Sequence, residues 1–97
     1  MIKPTIGRVV LIHRIVGGQP VSPQPEPALV CYVHNDRLIN VGGFDANGQP
    51  FARTSVQLLQ DDDAAPANIV TGAYAEWMPY QKAVAAGEQP AVQHAAA

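Results

Sequence analysis

The chain is poor in charge. Only 14% of its 97 residues are Asp, Glu, Lys or Arg, well under the roughly 25% usual for a soluble domain. Six Lys and Arg against eight Asp and Glu give a net charge of -2, and the cations are not clustered. Binding to duplex nucleic acid needs several phosphate-neutralising cations, so that function is not expected. There is one cysteine, Cys31, which excludes an intramolecular disulfide. It lies in an apolar run, Ala28 to Val33, and is expected to be a buried small hydrophobe. No apolar run approaches the ~20 residues of a membrane-spanning helix, and no signal-type segment opens the sequence. A cytoplasmic protein with no membrane association is expected. His13, His34 and His94 lack metal-ligand spacing, and the chain has no glycine-rich phosphate loop or nucleophile motif. No metal, no cofactor and no enzymatic activity are expected.

What the chain has is strand-like patterning. The organising stretch runs from Arg37 to Leu59, two strands about the turn Asp45-Ala46-Asn47-Gly48. Asn-Gly tolerates the positive φ of a hairpin turn. The second strand alternates, with Ala52, Thr54, Val56 and Leu58 expected inward and Arg53, Ser55 and Gln57 outward. In the first, Gly42-Gly43 reads as a bulge or sharp bend. Residues 5–15 and 28–34 read as strands before this hairpin. Residues 16–27, with Gly17-Gly18 and four prolines, read as a loop. Asp61-Asp62-Asp63 reads as a solvated turn and Ile69-Val70 as a short edge strand. Residues 72–78 form the last strand, with Ala73, Ala75 and Trp77 on one side and Tyr74, Glu76 and Met78 on the other. Pro79 ends it. Residues 80–86 form a helical turn or two before an Ala-rich tail.

The expected fold is therefore all-β: a small five-stranded, SH3-like barrel with a Pro-rich loop and a short helical or frayed C-terminus. Residues 1–82 make the single domain and 83–97 the flexible tail. So short a chain buries a modest core, and its low charge favours a homo-oligomer.

The candidate ligand-binding residues are Arg8, Arg37, Arg53, Ser55, Trp77 and Tyr80. Arg53 and Ser55, two apart on one strand face, can hold one anion between a guanidinium and a hydroxyl. A strand arginine needs a partner, either a ligand or a carboxylate such as Asp36, Asp45 or Glu76. Trp77 and Tyr80 offer stacking area, although Trp77 also suits the plug of a small core.

Several blocks carry a resemblance. Ile2-Lys-Pro-Thr-Ile-Gly-Arg-Val-Val10, Phe44-Asp-Ala-Asn-Gly48, Arg53-Thr-Ser-Val56 and Glu76-Trp-Met-Pro-Tyr-Gln81 occur here in that order. They resemble a family of small proteins of tailed phages and prophages. Where that family carries an aromatic after the first block, this chain has Leu11-Ile12-His13. The resemblance implies either a virion component, such as a decoration or head–tail joining protein, or an accessory protein that counters host defence. An accessory protein of this kind blocks a host protein or sequesters a nucleotide-type immune signal without turnover. Sequestration of a nucleotide by an oligomer in the host cytoplasm is the expected function.

Overall fold

A computed structural model describes residues 1–60, 63, 64, 66, 69 and 71–85. The strands are β1 (Val9–Val16), β2 (Gln19–Pro20), β3 (Glu26–Asn35), β4 (Leu38–Phe44), β5 (Pro50–Leu59) and β6 (Gly72–Trp77), followed by helix α1 (Pro79–Ala85). β1, β3, β4, β5 and β6 pair in sequence order, and β6 returns to β1, so five strands close a barrel. This is the small all-β barrel expected from the sequence. The two-residue β2 folds back on the end of β1.

Five strands cannot close with every neighbour antiparallel. One parallel pair is unavoidable, and it falls between β5 and β6, where Gln57, Leu58 and Leu59 face Tyr74, Ala75 and Glu76. Parallel neighbours need a crossover of about a dozen residues. Twelve residues, 60–71, separate β5 from β6 in the chain.

The core is aliphatic and shared by all five strands. Val10, Ile12, Val30, Ile39, Val41, Val56 and Leu58 are buried together, with the ring of Trp77 fully enclosed. The faces of β6 are as expected, with Ala75 and Trp77 inward.

Elsewhere the register corrects the sequence reading. β5 does not alternate evenly. Val41 faces Arg53 while Ile39 faces Val56, so β5 carries an extra residue between them. Ser55 takes it up with a φ of 55°, and its N–H donates to Asn40 Oδ1 at 2.8 Å. The bulge inverts the pattern: Ala52 and Thr54 are exposed, while Phe51 and Arg53 are half-buried. β3 shifts register in the same way between Val30 and Tyr32. Cys31 is exposed rather than buried, in phase with Pro27 and Leu29 and opposite to the buried Ala28 and Val30. Gly42-Gly43 holds no bulge, because both glycines pair in regular register with β3 and β5. Gly43 is required by close approach: a Cβ there would stand 2.3 Å from the Pro27 carbonyl oxygen.

The expected loop at 16–27 is partly ordered pairing. Gly17 and Gly18, with φ of 59° and 75°, make a two-residue turn that pairs Val16 with Gln19 and Ile15 with Pro20. Positive φ at both turn residues is the hairpin geometry that matches strand twist. β3 then begins at Glu26. The Asp45 turn is as expected, with Asp45 Oδ1 accepting the N–H groups of Asn47 and Gln49, both at 2.9 Å. α1 carries described structure past residue 82. Asp61, Asp62, Val70 and the tail from residue 86 lie outside the described residues.

Candidate functional site

Two ends of the barrel hold most of its polar side chains. At one end β1 begins, β5 and β6 finish, and α1 starts. Gln60, directly after β5, is buried there and organises the closure. Its amide nitrogen donates to the carbonyls of Ile2 and Asp36, at 2.9 and 2.6 Å. Its amide oxygen accepts the Ile2 N–H at 2.9 Å and the Trp77 indole N–H at 3.3 Å. Burial without such partners would be costly. Trp77 thus belongs to the core, and its ring is not a surface on which a ligand can stack.

Arg8 covers that plug. Its backbone is fixed by the pairing of Gly7 and Arg8 with Val30. Its Nε donates to Thr5 Oγ1 at 3.0 Å and its Nη1 to Gln81 Oε1 at 2.6 Å. The guanidinium carbon stands 6.0 Å from the Trp77 ring centroid. Pro79 opens α1, a position where its missing N–H is no loss, and the Gln81 N–H returns to the Met78 carbonyl at 3.0 Å. This turn sets Gln81 on Arg8 and leaves the Tyr80 ring about half exposed.

The other arginines are placed differently. Arg37 lies at the β3–β4 turn, and its guanidinium donates to Asp63 at 2.9 Å. That guanidinium, together with the Gln60 N–H, holds the Asp63 carboxyl below its ordinary value. Arg53 sits opposite the buried Val41 and makes no hydrogen bond or ion pair among the described residues. The bulge separates Arg53 from Ser55, so the expected shared anion site on β5 is not formed. Arg14, which sequence reasoning passed over, grips Glu26 through two hydrogen bonds of 2.5 and 2.7 Å at the opposite end of the barrel. Glu26 is only 4% exposed. The bond to Glu26 raises the Arg14 pKa further, against the opposing effect of burial. Arg14 also lies 4.9 Å from the centroid of the Phe51 ring.

Two of the expected carboxylate partners, Asp45 and Glu76, are occupied elsewhere. Asp45 caps its own turn. Glu76 lies 3.6 Å from Lys82 Nζ and 3.2 Å from His13 Nε2. The His13 contact is off the line of a hydrogen bond, so Nε2 has a carboxylate beside it but no true acceptor. The His13 ring stacks on Tyr74 at 4.8 Å.

Of the six expected residues, Arg8, Arg37, Trp77 and Tyr80 lie at one barrel end, with Trp77 beneath Arg8, Tyr80 beside Gln81 in the chain, and Arg37 paired with Asp63. Gln81 and Thr5 complete the cluster. They are far apart in the sequence, and only the β1–β6 pairing brings them both to Arg8. Clefts of about 130, 200 and 270 Å³ surround Glu26, Ser22 and Asp45 at the far end. Each is smaller than the roughly 300 Å³ at which small-molecule pockets begin. Among the described residues no group of three His, Cys, Asp or Glu could hold a metal ion, and no helix is long and apolar enough to cross a membrane.

The fold and this cluster define a small closed β-barrel with a cationic, aromatic patch at one end. No family model, curated protein or solved structure matches the chain.

Proposed function

We propose that the chain is a binding protein that takes an anionic ligand of the nucleotide class at Arg8, Tyr80 and Gln81 and holds it without turnover. One observation carries this reading. Arg8 is oriented by two neutral acceptors, Thr5 and Gln81, and no carboxylate lies within ion-pair distance of it among the described residues. Arg14, Arg37 and Lys82 each have a carboxylate partner. A guanidinium has five N–H donors, and two of those on Arg8 are used. The remaining donors and the whole charge are held in place for an anion. Tyr80, on the same helical turn as Gln81, supplies an aromatic face of the kind on which a base stacks. With the resemblance to phage proteins, this supports an accessory protein that sequesters a nucleotide immune signal in the host cytoplasm.

A second reading, a virion component or a blocker of a host protein, is favoured by a different observation. The outer face of β3, β4 and β5 exposes Leu29, Phe44 and Ala52, a surface suited to protein contacts.

Titration calorimetry against a panel of mono-, di- and cyclic nucleotides separates the two. One nucleotide class should bind and be recovered chemically unchanged after heat release. Arg8→Ala and Tyr80→Ala should each weaken binding by about 1–3 kcal/mol, or roughly 5- to 150-fold. Uptake of no nucleotide would overturn the proposal in favour of the second reading, and recovery of a processed ligand would make the protein an enzyme.

A further inference from the structure

The sheet face that the sequence leads one to expect wet is instead apolar. Across the outside of the barrel, Leu29 faces Gly42 and Gly42 faces Ala52; one step along, Phe44 faces Pro50. Leu29 is 47% and Phe44 52% exposed. On β3, Leu29 and Cys31 alternate outward, and the bulge in β5 adds to this face by turning Ala52 and Thr54 outward. Among the described residues no Asp, Glu, Lys or Arg lies on it.

We propose that this face is a two-fold interface between two copies of the chain. This is independent of the ligand reading. Three observations select a second copy as the occupant. The first is charge. A charged partner surface would lose its hydration here without gaining a counter-charge, so the complement must also be neutral. The chain's own face meets that condition. The second is shape. Gly42 has no side chain and leaves a shallow dip between Leu29 and Ala52, bordered by the Cys31 sulfur 3.6 Å from where a Cβ would stand. Knobs at Leu29 and Phe44 beside a dip at Gly42 are self-complementary under a two-fold axis, as an isologous interface requires. The third is area. Leu29 and Phe44, each about half exposed, together with the exposed Cys31, Pro50, Ala52 and Thr54, give this face an accessible area on the order of 500 Å². Two copies would then bury about 1,000 Å² together, the lower bound for a specific interface. The dimer is accordingly one of micromolar affinity.

Sedimentation equilibrium from about 1 to 100 µM tests this. The wild type should pass from monomer to dimer across that range. Leu29→Asp and Phe44→Asp should each raise the dimer dissociation constant at least 10-fold while far-UV circular dichroism stays unchanged, since both side chains are exposed. Val16→Asp, at an exposed position on the β1–β2 hairpin away from this face, should leave dimerisation intact. Cys31, the only cysteine, gives a second readout that needs no fold-perturbing charge. A short bis-maleimide should cross-link the wild-type chain to a covalent dimer, and Phe44→Asp should suppress it. A monomer at every concentration, or a dimer equally strong in both aspartate variants, would overturn the interface.

Discussion

Arg14 and Glu26 are the pair on which single substitutions should tell most. The carboxylate is nearly buried and is compensated by one bidentate guanidinium. Arg14→Ala leaves that charge unpaired and also removes the cation stacked on Phe51. A loss of about 3–5 kcal/mol in urea unfolding is expected. Arg14→Met with Glu26→Leu should recover most of it, because two apolar groups need no compensation. Ser55 runs the other way. Its φ of 55° lies where a Cβ is unfavourable, so Ser55→Gly should stabilise by up to about 1 kcal/mol. Its hydrogen bond to Asn40 uses the backbone N–H and survives the change. Asp63 sets an acid dependence. Its carboxyl titrates below the ordinary 3.8 because of Arg37 first and the Gln60 N–H second. A depressed folded value means that its stabilisation is complete above about pH 4 and is lost as pH falls through the folded value. Asp63→Asn should remove that part of the acid slope from a pH series of melting temperatures, and leave neutral-pH behaviour without a slope of its own.

At the scale of elements, Gly43 separates two meanings of a glycine in a strand. With the Pro27 carbonyl oxygen only 2.3 Å from where an added methyl carbon would stand, β3 and β4 must part for Gly43→Ala to fold. A cost of about 1–3 kcal/mol is expected, against a small effect for Gly42→Ala, where an added Cβ would stand at ordinary contact distance, 3.6 Å from the Cys31 sulfur. From sequence alone both glycines read as a bend. The strand count, the Asp45 turn and the faces of β6 were legible, because each depends on local alternation and turn chemistry. The register shifts, two in β3 and one between β4 and β5, were not. Nothing local marks Cys31 or Ser55 as an extra residue; their places follow from how five strands must coil to meet. This is why Arg53 and Ser55 looked like one site; Cys31 looked like core because the run Ala28 to Val33 is apolar on both faces. The Gly17-Gly18 turn was locally visible, but the prolines that follow obscured it. Arg8 and Tyr80 were recognisable as residue types. The contact of Arg8 with Gln81, the neighbour of Tyr80, was not, since it is made by a pairing between the first and last long strands.

The whole molecule is a ring closed by β6. Among the described residues that strand has a neighbour on each side, β1 antiparallel and β5 parallel, and it carries the only tryptophan. It reaches its place through a crossover rather than a hairpin. The last strand and its helix are therefore a keystone that the chain delivers on a tether, and a keystone need not be tethered. A polypeptide ending at residue 71 should be an open, association-prone sheet with two unpaired edges. A separate peptide of residues 72–85 should restore the barrel by slotting between them, much as a donated strand completes an incomplete sheet. Trp77 reports the event directly. Free in the peptide its fluorescence is that of a hydrated indole; on mixing it should shift to the blue as the ring enters the core, with a concentration dependence that measures the affinity of a barrel for its own last stave.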